Sequence, residues 1–345
     1  MIKITVPAIR NLTTGRAATP IAFIQAIVLA YQKYGIDPAS VLSLSGIPRR
    51  ELRNPKARVT AAQMEIMSSV AMQELDDEAL GWFTRKLPWG SYGMLCRASL
   101  TAPDLGVAIK RWCRHHRLLT GDIELHLSVS KLVATVSITT NRDLGAMQEF
   151  CLVSSMRYLL GYVCWAVDSR LPLLSVSFPY DPPAHQEVYP LLFSGELHFN
   201  AAQAGLSFDT AYLALPLRRD EKALQQMLQR ALLLTVLQYR RDRLLVQRVR
   251  QLLRAQLPAS PTADSVAAAL NVSVRTLYRQ LGSEGASLQQ LKDEVRYGYA
   301  SELLTRTRKP VKAVAASVGF RNEKSFIRAF RLWSGKPPAA FRVAK

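Results

Sequence analysis

Several kinds of chemistry are missing from this chain. There is no glycine-rich phosphate loop, no G-x-S-x-G turn to raise a nucleophilic serine, and no HExxH pair for zinc. No catalytic pair stands out, so the sequence argues against an enzyme and calls for no cofactor and no metal. Cysteine is scarce. Cys96, Cys113, Cys151 and Cys164 are too scattered for a disulfide framework and none has CxxC spacing, so they read as buried thiols of a reducing compartment. Long hydrophobic runs are also lacking. Leu152 to Val167 contains Arg157 and is too short for ~30 Å of hydrocarbon. Near the N-terminus, Lys3, Arg10 and Arg16 precede the apolar run Ile21 to Ala30, as in a signal peptide. Gln25 interrupts that run, Gly35 stops it, and no small-x-small cleavage site follows. The expectation is an amphipathic helix started by Thr19-Pro20, with proline at the first helical position. No membrane partner is expected, and the location is cytoplasmic, on the nucleoid when DNA is bound.

Acidic residues are in short supply. The 345 residues carry 45 Lys+Arg against 26 Asp+Glu, a net charge of +19. Such a surface attracts polyanions. The excess is uneven: Arg240 to Lys345 has 21 basic and 7 acidic residues, and the first 239 have 24 and 19. A basic C-terminal domain thus follows a nearly neutral one. Hydrophobic residues at 49% and charged residues at 21% exclude disordered and fibrous classes.

The first two thirds read as α+β, helices plus a small antiparallel sheet. Helices are expected over 19–34, with Ile24, Ile27, Val28 and Tyr31 on one stripe, from Asp37-Pro38 to Gly46, over 60–75, over 76–87, from Pro103-Asp104 to about Leu119, and over 146–167. Alternation over 123–129 and 132–138 makes a hairpin turning at Ser130-Lys131. Short strands are expected at 173–178, 197–199 and 206–208. Glu65, Glu74, Asp76, Asp77 and Glu78 read as a solvated face rather than a metal site. Trp82, Trp89, Tyr92, Trp112, Tyr158 and Trp165 line a pocket or fill the core. His115-His116, between Arg114 and Arg117, either grips an anion or faces water. Ala223 to Leu253 reads as a long leucine-rich helix that makes a dimer contact or packs on its own domain.

The last hundred residues contain a repeat. Val266-Ala267-Ala268-Ala269-Leu270-Asn271-Val272, followed by Arg275 to Leu281, recurs as Val314-Ala315-Ala316-Ser317-Val318-Gly319-Phe320, followed by Lys324 to Phe330. Each copy reads as helix, tight turn, helix. Ala267 and Ala315 permit close helix approach, Asn271 and Gly319 tolerate positive φ, and Ser273 and Asn322 can cap the second helix. Leu277 and Leu281, like Phe326 and Phe330, turn inward at i, i+4. That leaves Arg275, Thr276, Tyr278 and Arg279 outward in one copy, and Lys324, Ser325, Ile327 and Arg328 in the other. Basic and hydroxyl side chains there suit a recognition helix in a major groove. Between the copies, one helix over 287–307 would span ~30 Å, close to the ~34 Å between successive major grooves.

These residues resemble a known family. Leu245 to Arg342 is similar to the DNA-binding domain of the AraC/XylS transcription regulators. The most specific stretch is Gly319-Phe320, Ser325-Phe326, Arg328-Ala329-Phe330, Trp333-Ser334-Gly335, Pro338 and Phe341-Arg342. The resemblance implies base or backbone contacts from Arg275, Thr276, Tyr278 and Arg279, and from Glu323, Lys324, Ser325 and Arg328. Thr19 to Leu217 is similar to that family's arabinose-binding type of effector domain, found in ornithine-utilisation and virulence regulators. Its matching features are Gly35-Ile36-Asp37-Pro38, Gly46-Ile47, Pro103-Asp104-Leu105-Gly106 and Phe208-Asp209. The type does not imply a sugar ligand.

The expected organisation is an effector and dimerisation domain over 19–217, a helical linker over 218–244, and an all-α DNA-binding domain over 245–345. In the last, helix-turn-helix motifs at about 262–282 and 310–333 are joined by a long helix. The expected function is a ligand-responsive activator of a catabolic or transport operon. Its partners would be double-stranded DNA, RNA polymerase and a small-molecule effector, with homodimerisation through the first domain. Arg111 and His115, four apart on one helix, either point to water or, if their face lines the pocket, offer a bidentate fork and a second donor to an anionic effector.

Overall fold

The computed structural model describes Leu12 and residues 17–232, 244–284 and 286–343. Contacts divide the chain into two compact units, Met1–Arg240 and Arg241–Lys345.

The first unit opens with β1 (Ala17–Pro20) antiparallel to β2 (Arg58–Thr60). Helix α1 (Ile21–Lys33) therefore starts after the expected Thr19-Pro20. Pro20 pairs with Arg58 in extended backbone (φ −67, ψ 145) and caps the helix instead of entering it. Ile24, Ile27 and Tyr31 are fully buried along the expected stripe. Helix α2 (Ala39–Leu44) and helix α3 (Ala61–Glu74) follow, the latter closed by a Thr60/Gln63 capping box.

The helix expected over 76–87 does not form. Asp76, Leu80 and Gly81 take positive φ (47, 45 and 79). The buried Asp77 carboxylate accepts N–H bonds from Ala79, Gly81 and Leu87 at 3.0, 2.8 and 2.9 Å, and the Tyr34 hydroxyl at 2.7 Å. A short acidic side chain that bonds its own following backbone competes with the helix ladder, and here it wins. Helix α4 (Ser91–Leu100), which the sequence pattern did not reveal, comes next.

Helix α5 (Leu105–Leu119) is capped by Asp104. Strands β3 (Ile123–Ser130) and β4 (Val133–Thr140) turn at Lys131-Leu132, one residue later than expected, with Lys131 at φ 50. After α6 (Gln148–Val167) come β5 (Leu173–Ser177), α7 (Tyr189–Leu192), β6 (Glu196–His198) and β7 (Ala204–Asp209). The sheet order is β3-β4-β7-β5-β6, antiparallel except for the β5–β6 pair. Among the described residues, Gly145–Val167 is the one helix long and apolar enough to cross a membrane, so length does not exclude a span. It is the buried core helix of this unit, and its Arg157 donates to the Leu192 carbonyl at 2.7 Å.

Helix α8 (Glu221–Leu228) buries Leu224, and Arg97 Nε binds Glu221 at 2.8 Å. Arg230 then grips the buried Glu65 through Nε and Nη2 at 2.9 and 2.7 Å. As far as residue 232, the expected linker therefore belongs to the first unit. The long helical segment expected over 223–253 is broken at 229–231, where a turn follows α8, and its residues 233–243 lie outside the described residues.

The second unit is helical throughout its described residues. Helix α9 (Leu244–Ala255) precedes α10 (Ala263–Ala269) and α11 (Val274–Ser283). Then come α12 (Leu288–Arg306), α13 (Val311–Ser317), α14 (Glu323–Ser334) and α15 (Pro338–Val343). Val246, Val249 and Leu253 of α9 join Val266, Leu277, Leu281, Leu288 and Leu291 in one apolar cluster, so α9 packs on its own domain. Ala300, Leu303 and Leu304 join Val314, Val318, Phe326 and Phe330 in a second. The two ends of α12 thus serve two cores. Arg250 and Arg254 of α9 pair with Glu294 and Glu302 along α12.

Two outcomes follow from this packing. A fragment over 240–345 holds both clusters and unfolds as one cooperative transition in denaturant; a fragment already unfolded at moderate salt would show that the unit needs the rest of the chain. Gly319 stands at φ 84, and a Cβ there would lie 2.3 Å from the Pro258 carbonyl oxygen. Gly319→Ala should cost more than about 2 kcal/mol in equilibrium unfolding, since backbone strain and a backbone clash add.

Candidate nucleic-acid interface and ligand cavity

The two helix-turn-helix copies form as the repeat demands. Asn271 and Gly319 take the positive φ (55 and 84) that turns each first helix into its second. Ser273 accepts the Thr276 N–H at 3.1 Å, and Asn322 accepts the Ser325 N–H at 2.8 Å. Leu277, Leu281, Phe326 and Phe330 are fully buried, which fixes the rotation of α11 and α14. Arg275, Tyr278 and Arg279 consequently stand exposed on α11, with Thr276 half-buried under the Ser273 hydroxyl at 2.9 Å. On α14, Lys324, Ser325 and Arg328 are exposed and Glu323 is half-buried. Among the described residues no carboxylate pairs with Arg275, Arg279, Lys324 or Arg328, so their donors are available to an external acceptor. The 19 residues of α12 extend for about 28 Å between the two copies.

The first unit contains a partly open cavity of about 260 Å³. The turn that Asp77 holds supplies Glu78, Trp82, Phe83 and Trp89. Helix α4 supplies Tyr92, Leu95 and Arg97, α5 supplies Trp112, His116 and Leu119, and α6 supplies Ser155 and Tyr158. The last wall is Leu228, Ala231 and Leu232. Ring centroids lie 5.7 Å apart for Tyr92–Trp112 and for Tyr92–Tyr158, and 6.3 Å apart for Trp82–Tyr158, so the aromatic wall is continuous. Burial pushes the Glu78 carboxyl up to about 7 and the His116 imidazole down to about 4. Trp82 Nε1 and His116 Nδ1 are buried and, among the described residues, have no hydrogen-bond partner.

Of the expected aromatics, Trp82, Trp89, Tyr92, Trp112 and Tyr158 line this cavity and Trp165 does not. The expected effector pair is displaced. Arg111 and His115 are not in the lining, because α5 turns Trp112 and His116 (the next i, i+4 pair) inward. Arg111 donates to Thr101 Oγ1 at 3.0 Å, and His115 Nδ1 donates to the Arg111 carbonyl at 2.7 Å. Arg114 and Arg117 instead border a shallow groove with Lys110 and His126.

The solvated acidic face is also overturned. Glu65 and Asp77 are buried, Glu74 accepts the Tyr31 hydroxyl, Asp76 accepts the Trp89 N–H at 3.0 Å, and Glu78 accepts from Gly90 and Tyr92. Each carboxylate there is occupied by a donor from elsewhere in the fold. Among the described residues no cluster of His, Cys, Asp and Glu is arranged to hold a metal. The cysteines are free thiols, buried except for the half-buried Cys113. Sequence reasoning missed Glu78 and His116 as lining. The density of aromatics over 82–92 was the available signal.

Residues 35–217 match the family described as the arabinose-binding domain of AraC transcription regulator, N-terminal, and residues 266–344 match a helix-turn-helix domain. The chain is 30% identical over 328 residues to the ornithine utilization regulator of Pseudomonas aeruginosa, covering 94% of this chain and 96% of that one. It is 22% identical to an uncharacterized HTH-type transcriptional regulator of Mycobacterium bovis, over 89% and 91% of the two chains. A solved transcriptional regulator, CdpR of Pseudomonas aeruginosa, shares 20% identity over 94% of this chain and 98% of its own, with a TM-score of 0.33. With its α+β first unit and doubled helix-turn-helix, the chain belongs to the AraC family of DNA-binding transcription regulators, and it is a regulator rather than an enzyme.

Proposed function

We propose that the protein is a ligand-responsive activator of a catabolic or transport operon, acting in the cytoplasm on double-stranded DNA as a homodimer that engages RNA polymerase. The observation that carries the reading is the cavity. It is a partly open cleft, mainly apolar with an aromatic wall, and of small-molecule size, as ligand sites are. One of its walls is Leu228, Ala231 and Leu232, from the segment that leads along the chain to the DNA-binding unit. The name of the Pseudomonas relative, an ornithine utilization regulator, supports a catabolic target.

On DNA, α11 and α14 enter adjacent major grooves on one face, a spacing that the length of α12 allows. Arg275, Tyr278 and Arg279 of the first copy, and Lys324, Ser325 and Arg328 of the second, reach base edges or phosphates. Thr276 and Glu323 lie at the helix starts, beside the backbone.

Two experiments test this. With a site selected by the full-length protein from random DNA, Arg279→Ala and Arg328→Ala should each lose about 1–3 kcal/mol of discrimination. Lys312→Ala or Lys336→Ala should weaken selected and random DNA alike and lower the salt slope. Equal losses on both DNAs for Arg328→Ala would remove it from the base-reading set. In the second, that site is placed before a reporter promoter and compounds that raise the melting temperature are added. Output should rise with ligand, and Ala231→Phe, which fills the cavity, should cancel the rise while DNA affinity is kept. Constant output with every stabilising compound would leave a regulator whose first unit only dimerises.

A further inference from the structure

Among the described residues, the cavity carries an acid with no countercharge. Both Glu78 oxygens accept backbone N–H groups, from Gly90 at 2.7 Å and Tyr92 at 2.6 Å, which hold the carboxylate at the head of α4 without neutralising it. The guanidinium in the lining, Arg97, gives its Nε to Glu221 at 2.8 Å, and both side chains of that pair are half exposed. On α5, His116 is held neutral by burial. Asp76 and Asp77 on the same turn add charge of the same sign, and Tyr92 and Cys96 of α4 and Tyr158 of α6 supply uncharged neighbours. Trp82, Tyr92, Trp112 and Tyr158 form the surrounding wall. Buried polar atoms in that wall, Trp82 Nε1 and His116 Nδ1 among them, have no partner among the described residues, and His116 Nδ1 can accept a hydrogen bond from an occupant.

We infer that this cavity takes an organic cation: a compact amine with an apolar body, its ammonium on Glu78 and against the aromatic rings. The inference rests on the reading of the cavity as the effector site. Aromatic faces attract cations, and a desolvated carboxylate is the strongest partner an ammonium can find. An anionic ligand would meet Glu78 and an uncharged imidazole. A neutral ligand would leave the half-buried acid without a countercharge.

The assignment carries a pH signature. An ammonium needs ionised Glu78, and that carboxyl sits near pH 7 in the empty cavity. Above pH 7 the carboxylate is ready. Below it, binding must first displace a proton, so affinity for an amine falls about tenfold per pH unit. His116 is neutral throughout that range and adds no slope.

The test uses three molecules with one body: 3-phenylpropylamine, 3-phenylpropan-1-ol and 3-phenylpropionate. Each is titrated into the full-length protein at pH 8 and pH 6 and followed by tryptophan fluorescence and calorimetry. The amine should bind at least tenfold tighter than the other two at pH 8, and about tenfold weaker at pH 6 than at pH 8. Glu78→Gln should erase both differences while the alcohol still binds. If that variant fails to fold, because Glu78 also caps α4, the pH series on the unaltered protein decides. Equal binding of all three, or a preference for the acid, overturns the cation and leaves the cavity standing as a site. Binding of none overturns the cation as well, while the regulator reading is still judged by the reporter response.

Discussion

Two adjacent carboxylates shape the first unit's cavity. Asp77 gathers three backbone N–H groups and a tyrosine hydroxyl, so residues 76–90 wrap around its side chain where a helix would otherwise run. Glu78, next in sequence, holds the first N–H groups of α4, whose own cap residue is Gly90 and offers no side chain. A helix start without a cap leaves four donors unsatisfied, and a carboxylate is the best available answer because the helix dipole also favours negative charge there. The cost is an acid placed among aromatic rings, with its carboxyl pushed up to about 7. The group that closes the local structure is therefore the same group that gives the cavity its one uncompensated ionisable character.

The second unit is organised by a shared helix. Neither helix-turn-helix copy has enough apolar surface to form a core alone, since each contributes a short first helix of 7 residues and one longer second helix. The N-terminal half of α12 completes one core with Leu288 and Leu291, and its C-terminal half completes the other with Ala300, Leu303 and Leu304. Burying both ends of one rod fixes the separation and relative rotation of the two recognition helices. The Arg250–Glu294 and Arg254–Glu302 pairs lay α9 along the same rod. These are exposed or half-exposed pairs and contribute little stability each. Their use is to orient a helix that packs on the core through Val246, Val249 and Leu253, with Leu245 and Leu252 at the edge.

The contrast between the units explains what could be read in advance. Within each helix-turn-helix copy the determinants are local: caps at three-residue spacing, inward residues at i, i+4, and a residue fit for positive φ at each turn. Ser273, Asn322, Leu277, Phe326, Asn271 and Gly319 could be assigned from neighbours in sequence alone, and each took its assigned part. In the first unit the decisive contacts are long-range. The Asp77 bond to Tyr34 and the Glu65 bond to Arg230 join residues 43 and 165 apart, and no periodicity signals them. Helix propensity favoured a helix over 76–87 and a solvated acidic face; tertiary hydrogen bonds overrode both. Arg111 and His115 were one residue out of phase with the buried face. On a helix that error of 100° separates a solvent-side contact from a cavity wall.

The long-range pairs also decide how the cavity wall and the chain beyond it can influence each other. Leu228, Ala231 and Leu232 face the cavity, while Arg230, within the same turn, holds Glu65. Glu65 is 1% exposed, so releasing Arg230 would strand a buried carboxylate, which costs about 3 kcal/mol or more. Arg230 is half exposed, which lowers that figure toward its minimum. The loss of that ion pair would be comparable to the 1–3 kcal/mol by which ligands commonly couple two sites. A ligand that merely fits the cavity shifts nothing; it must contact residues 228–232 differently in the docked and released states. Arg97–Glu221 at the start of α8 and Glu65–Arg230 beyond its end confine that difference to about three helical turns of chain. Leu228, Ala231 and Leu232 line the cavity while the ion pair holds Arg230 between them, so any rotation of the segment that changes one contact changes the other.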